Sequence, residues 1–368
     1  SIASIIGTGA GTLTKSGTGT WTLSGVNTYT GGSTINGGTL ALSGSGSIAT
    51  SSGVTTSGSG VFSITSATGN VTITSLTGSS TATTGVVLGA RTLVLSNASG
   101  TYSGVIGGTG GFTLMAGTET LSGANTYSGD TTLTSGVLLV GIASNGSVGS
   151  IADSALGTGT LVFNGGALSS DGATNRIFYN QLTFMGDATL GYSTYAGSLT
   201  FAAAGDLGSL TRMVTVNTGT TAEFDGVLSS ATSPTGLTKA GSGTLVLAGQ
   251  NTFAGATTVN AGILSISDDQ NLGSVPGLVT SAKITLNGGT LLNTGTIATL
   301  DPNRGISLGV NGGTLASAAG TSLVYGGVIA SSAANNLTIG ISGSTGTVVL
   351  SGANTYTGVT TLSAGTLS

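Results

Sequence analysis

Neither cysteine nor histidine occurs anywhere in this chain of 368 residues. The first absence excludes disulfide staples, thiolate nucleophiles and cysteine-based metal sites. The second removes the commonest general base and the commonest transition-metal ligand, so no serine here has a histidine to activate it. Charge is scarce as well. Asp, Glu, Lys and Arg make up 5% of the residues, against about 25% in ordinary soluble domains. The seven cations stand singly, at Lys15, Arg91, Arg176, Arg212, Lys239, Lys283 and Arg304, and form no stripe that could follow a phosphate backbone. Nucleic acid is not an expected partner. No apolar run of about 18 residues occurs, and no basic segment followed by an apolar one opens the chain. The chain is expected neither to span a bilayer nor to carry its own targeting signal.

Glycine, serine and threonine fill the space that charge leaves, with 68 Gly and only 3 Pro. Gly and Pro together reach about 19%, below the roughly 25–30% that marks disordered low-complexity chains. Hydrophobic residues amount to 38% and the mean hydropathy is +0.42, the opposite of a disordered composition. The chain is expected to fold. Its apolar residues alternate with period two, as in Thr20-Trp21-Thr22-Leu23, Thr39-Leu40-Ala41-Leu42, Thr244-Leu245-Val246-Leu247 and Thr347-Val348-Val349-Leu350. Such runs put one row of side chains inside and one row in solvent. They end in Gly, Asn or Ser, which supply turns. No stretch carries a 3.6-residue period, and essentially no helix is expected.

One phrase recurs four times: LSGVNTYTG at 23–31, LSGANTYSG at 121–129, LAGQNTFAG at 247–255 and LSGANTYTG at 350–358. An aliphatic step precedes each, such as Gly104-Val105-Ile106 or Gly226-Val227-Leu228, and a Gly-Thr-Leu-like step closes it. The units so defined cover about 5–42, 105–140, 227–266 and 328–367. The stretches between them read as degenerate rungs, and no break in composition marks a second domain. Short strands whose units cannot bury an apolar row alone predict an all-β fold, a right-handed parallel β-helix, or β-solenoid, over residues 1–368. At roughly 20–25 residues per coil, about 15–18 coils would stack ~4.8 Å apart, some 70–90 Å in all. Like charges stacked at that spacing repel by roughly 1 kcal/mol in water, which fits the low charge. Ser and Thr columns hydrogen-bond instead.

The string Gly-Leu-Thr-Lys-x-Gly-Ser-Gly-Thr-Leu-x-Leu-x-Gly-x-Asn-Thr-Phe/Tyr-x-Gly-x-Thr-Thr-Val-x-Ala-Gly resembles the autotransporter-associated β-strand repeat, also called the passenger-associated transport repeat. Residues 237–262 match it closely and 13–40 with small changes. Residues 337–367 depart at Ile339-Gly340-Ile341, and 112–138 lack one residue before Leu121. The resemblance implies a β-helical autotransporter passenger of a type V secretion system. It would be exported through an outer-membrane barrel and displayed on the cell surface or released.

Chemistry is hard to seat on these residues. Among eleven acids only Asp268 and Asp269 adjoin; with Asn271 they could ligate Ca²⁺ at a turn, and a solvated loop is the plainer expectation. Gly7-Thr8-Gly9-Ala10-Gly11 has a loose phosphate-loop pattern but no following helix, so a turn is expected. Tyr29, Tyr127, Phe253 and Tyr356 invite a sugar-stacking role. They lie about 100 residues apart, which favours packing at a coil corner with the preceding Asn capping the turn. Tyr179, Tyr192 and Tyr195, near Phe178 and Phe184, are the local aromatic concentration where a ligand groove would be sought. Ice binding would need Thr-x-Thr on many consecutive coils, whereas the Thr-Thr pairs at 131–132, 257–258 and 360–361 recur once per long unit.

The expected protein is a structural or adhesive extracellular fibre segment of a surface protein. It is not an enzyme and has no catalytic, cofactor or metal residues. Its expected partners are itself, cell-surface or matrix glycans, and the outer-membrane barrel during export. A carbohydrate-binding or polysaccharide-degrading β-helix is the alternative, with ice binding behind it. The chain starts and stops within units, so excision from a longer passenger or head-to-tail stacking into filaments is expected.

Overall fold

The computed structural model describes residues 1–192, 194–230 and 234–368. The chain divides into two compact units, Ser1–Leu182 and Thr183–Ser368. Each is a parallel β-solenoid whose coil has three sides. In the first unit one side stacks, in order, Leu13–Lys15, Ser33–Ile35, Val54–Thr56, Leu76–Gly78, Ala98–Tyr102, Gly117–Leu121, Val137–Val140 and Ala167–Ser170. A second side carries Thr20–Leu23, Thr39–Gly44, Val61–Ala67, Val86–Val87 and Ile106–Gly107, and a third carries Val71–Ile73, Leu93–Leu95, Phe112–Leu114, Thr131–Leu133 and Leu161–Phe163. Leu13 pairs with Ser33, Ser33 with Val54 and Val54 with Leu76, so these coils take 20, 21 and 22 residues. Each strand pairs with one a whole coil later in sequence, and all are parallel. The exception among the described residues is an antiparallel hairpin, Asn145–Ser147 with Ser150–Asp153. It lies in a 30-residue coil, where Val137 pairs with Ala167.

The second unit repeats the plan. Ala188–Leu190, Arg212–Val216, Leu237–Ala240, Thr257–Val259, Thr280–Leu286, Arg304–Leu308 and Ile329–Ser331 form one side. The next side runs from Leu199–Phe201 through Thr244–Leu247 and Ile263–Ile266 to Thr360–Leu362. The third carries Gly205–Asp206 and Leu228–Ser229, then Ile297–Leu300, Ser322–Tyr325, Thr347–Leu350 and Thr366–Leu367. The one helical element among the described residues is a 3₁₀ turn, Asp269–Leu272.

The alternation read from the sequence becomes stacked columns. In the second unit Ala222, Leu245, Leu264, Leu291, Leu315 and Ile339 follow one another inward, coil on coil, and all are buried. Each fully buried Leu or Ile contributes about 1.5–3 kcal/mol, so an uninterrupted column is what makes a short rung worth forming. Outward, Thr14, Thr34, Thr55 and Thr77 form a hydroxyl column in the first unit, with Thr55 and Thr77 hydrogen-bonded at 2.6 Å. Thr238, Thr258, Thr285 and Ser307 do the same in the second. These columns suit the pleat because a β-branched side chain loses little by being held there.

Candidate functional site

The recurring Asn-Thr-Tyr-x-Gly pentad is where a side of the coil has no strand, and its first two residues close the ladder beneath it. The Oδ1 of Asn27 accepts the amide of Ile6 at 2.9 Å. Asn125 Oδ1 takes that of Ile106 at 2.9 Å, Asn251 that of Leu228 at 2.7 Å and Asn354 that of Ile329 at 2.9 Å. In all four, the next threonine amide returns a bond to the carbonyl of the same aliphatic residue, at 2.9 to 3.0 Å. The aliphatic step preceding each phrase is thus the rung on which the phrase is seated. Strands Ile106–Gly107, Leu228–Ser229 and Ile329–Ser331 each end their side's sheet in this way. The carboxamide stands in for the missing peptide group, since an unmade buried hydrogen bond costs about 1–3 kcal/mol. Upward, Nδ2 donates to Ser47 O, Ala155 O and Asn271 O in the first three copies. The asparagine was expected to cap its own turn; it caps a sheet edge one coil below.

The copies do not share a side. In the first unit the arc at 27–31 lies between a strand of the second side and one of the first, hence on the third side. The arc at 125–129 lies on the second. In the second unit the arcs at 251–255 and 354–358 likewise fall on different sides. A cassette that carries its own edge cap can be inserted at any corner of the coil.

The aromatic of the pentad points inward. Tyr29, Tyr127 and Phe253 are at most 1% exposed, so none is a sugar platform, and the corner-packing expectation holds. Tyr29 bonds Ser33 Oγ at 2.7 Å and Tyr127 bonds Thr131 Oγ1 at 2.6 Å, while Tyr356 makes the same bond to Thr360. Phe253 cannot, and Thr257 Oγ1, four residues on, is left buried without a partner. Phe253→Tyr is expected to restore that bond. It should stabilise the second unit by about 1 kcal/mol, a rise of about 2–4 °C in Tm. A thermal melt that shows no rise would mean the corner has no room for the hydroxyl.

Two lysines recur with the cassette. Lys15 Nζ donates to the carbonyls of Ser16, Gly17 and Gly37, and Lys239 Nζ to those of Ala240, Gly241 and Ala261. Each ammonium ties its own turn to the turn one coil above. Burial pulls Lys239 down to about 8.

Asp268, Asp269 and Asn271 lie in a capped 3₁₀ turn where Asp268 is exposed, as a solvated loop would have it, while Asp269 and Asn271 are tied into the fold. Asp268 caps the 3₁₀ turn through Gln270 N, at 2.9 Å. Asn271 is buried, accepts the amides of Ser267 and Asp268, and donates to Ala248 O and Gly249 O. Asp269 pairs with Arg304, Nε to Oδ1 at 2.8 Å and Nη2 to Oδ2 at 3.1 Å. Arg304 is fully buried, and its guanidinium also reaches the carbonyls of Asp269, Leu272, Gly273 and Ser274. Lys283 Nζ, held by Ala254 O and Gly255 O, is lowered to about 8 by burial and then by Arg304. The carboxylate of Asp269 and the carboxamide oxygen of Asn271 are thus engaged within the protein. Among the described residues no group of three or more acids, His or Cys is placed to hold a metal ion. The Gly7–Gly11 stretch forms a turn, Gly11 N bonding Thr8 O at 3.1 Å.

The local aromatic concentration splits up. Phe178 and Phe184 are core residues. Tyr192 and Tyr195, in the second unit, face each other with ring centroids 6.2 Å apart, and Tyr195 N donates to Tyr192 O at 2.8 Å. Tyr179, in the first unit, lines a groove of about 360 Å³ beside the antiparallel hairpin. The hairpin was not expected from the sequence.

Three-sided coils, edge-capping cassettes and committed charges define a parallel β-solenoid repeat protein. The passenger-associated-transport-repeat family model matches residues 13–42, 116–140, 237–266 and 344–368, each overlapping one of the four recurring phrases. Those four segments are therefore similar to the repeat that gives the passenger-associated-transport-repeat family its name. The adhesin BmaC autotransporter of Brucella suis biovar 1 (strain 1330) is 37% identical over 140 residues, 36% of this chain and 4% of the length of that relative. No solved structure matches.

Proposed function

We propose that the chain is a non-catalytic scaffold segment of an adhesive passenger, and that residues 1–368 serve as one such segment. The observation that carries this reading is where the recurring residues go. The Asn, Tyr or Phe, and Lys of the cassettes are spent on holding coil to coil. The outward positions are rich in hydroxyls, in columns such as Thr14, Thr34, Thr55 and Thr77, so contact with a partner falls to the surface and not to a buried centre. The likeness to a protein named an adhesin supports the same direction. In this reading the partners are cell-surface or matrix glycans, an outer-membrane barrel during export, and other copies along the flat hydroxyl columns.

Beads coated with the chain are expected to adhere to cells or extracellular matrix above beads coated with an unrelated soluble protein. Equal, background adhesion on every surface tried would overturn the adhesive reading. Sedimentation decides self-association separately: a monomer at all concentrations removes that part.

A further inference from the structure

We propose that the groove between the Asn145–Asp153 hairpin and the Tyr179 rung binds a neutral saccharide, with Tyr179 as the stacking surface. This rests on the adhesive reading and gives it a place. The floor is two short outward rows on neighbouring coils. Tyr179 and Gln181 both line the groove, on either side of a residue that turns inward. Asn180 between them is buried and donates through Nδ2 to Gly157 O at 3.2 Å and Gly159 O at 2.7 Å. Those carbonyls flank Thr158, and Thr160 follows, so Thr158 and Thr160 form the second row. The amide of Leu161 meets Gln181 O at 2.8 Å, which fixes the register of the rows. Ser150 and Ile151 of the hairpin make the wall.

The wall is braced at both feet. Ser144 Oγ receives the Tyr179 amide, contacts Asn180 Oδ1 at 3.4 Å and reaches Ser154 Oγ at 3.2 Å. Ser144 N donates to Ile177 O, and Ser154 exchanges both backbone bonds with Asn125. The edge-capping asparagine of the second cassette thereby holds the hairpin root, and the groove is organised before any ligand arrives. Such preorganisation lowers the ordering cost of binding.

The lining selects the ligand class. A partly buried phenol ring beside an amide and several hydroxyls offers one apolar face and a fringe of donors and acceptors, which matches a pyranose ring. No lining residue is charged. Asp153 is engaged by Asn145 at 3.0 Å, and Arg176 by Asp171 at 2.9 Å, so an acidic sugar finds no free cation there. A volume of about 360 Å³ falls within the usual range for small-ligand sites, about 300–1,000 Å³.

The test is an array of neutral glucose-, galactose- and N-acetylglucosamine-based di- to tetrasaccharides, probed with the whole chain, followed by saturation-transfer NMR on any hit. At least one is expected to bind. Tyr179→Ala should weaken binding at least tenfold, Gln181→Ala by a smaller factor, and Tyr192→Ala not at all, with Tm of each variant confirming the fold. Binding unchanged in Tyr179→Ala, or no neutral saccharide bound, overturns the groove. Cell adhesion that persists while Tyr179→Ala has no effect leaves the adhesive reading intact and removes this site. Saccharide binding without any adhesion does the reverse.

Discussion

Arg304→Ala is expected to lower the Tm of the unit Thr183–Ser368 by roughly 10 °C. Arg304 is fully buried and satisfies Asp269 through two hydrogen bonds, at 2.8 and 3.1 Å. It also holds four backbone carbonyls of the 3₁₀ turn and the residues after it. Truncation leaves a largely buried carboxylate without its cation and several carbonyls without donors. Removing one partner of such a pair typically costs about 3–5 kcal/mol, and about 2–4 °C accompanies each kcal/mol in a unit of this size. Arg304→Lys should recover little, because a point charge cannot reproduce the fork that meets both the carboxylate and the carbonyls. Asp269→Asn should cost less than Arg304→Ala, since the carbonyls keep their donor. Because solenoid coils unfold in part, hydrogen exchange is the sharper readout. Protection should fall first at Leu272, Gly273 and the rung Arg304–Leu308. A variant that melts with the parent would show that the pair merely breaks even against its desolvation.

The contrast between this pair and the cassette shows what a linear reading can reach. Period-two alternation and a phrase repeated four times were enough for the solenoid, its strands and its inward aliphatic columns, because each of those signals is local. Asp268-Asp269 read as a loop because the partner of Asp269 lies 35 residues on, more than a coil away, with nothing in the spacing to join them. The asparagine's role was half visible. Its recurrence marked it as structural, but the amide it receives belongs to a residue 19 to 25 positions earlier, a distance set by the coil and not by the turn. The aliphatic step that precedes each phrase is the other half of the signal, since it supplies the amide that the asparagine receives. Aromatic density is the one sequence signal at Tyr179. The wall that makes its groove comes from a hairpin of Gly, Ser and Asn, whose composition is indistinguishable from the turns around it.

The first unit, Ser1–Leu182, is expected to lose stability as pH rises from about 4.5 to about 8, and Glu119→Gln is expected to flatten that slope. Glu119 stands in the inward row of Gly117–Leu121, paired across the ladder with Gly100 below and Leu138 above. In the aligned cassettes Trp21, Leu245 and Val348 hold this place. Gly100 is required beneath it, since a Cβ there would lie 2.2 Å from Leu76 O. The carboxyl is buried, and burial lifts it to about 8. The amides of Leu76 and Gly100 oppose that rise, yet neither comes within hydrogen-bonding geometry of the carboxyl. In the folded unit Glu119 therefore keeps its proton up to about pH 8, whereas in the unfolded chain it releases it above 4.5. Across that window the unfolded state binds fewer protons, so stability falls with rising pH and levels off above about 8. At about 1.36 kcal/mol per unit of pKa the full span is on the order of 3–5 kcal/mol. The other perturbed groups of the unit are Tyr29, Tyr102 and Tyr127, raised by burial from 10, and they do not titrate in this window. Glu119→Gln keeps the shape and has no proton to lose. It should match the parent near pH 5 and exceed it by about 3 kcal/mol at pH 8, read from exchange rates of the amides in Ala98–Tyr102 and Gly117–Leu121. Parallel pH profiles for parent and variant would mean that water or a shifted side chain solvates the carboxylate, and the inward placement of Glu119 would have to be given up.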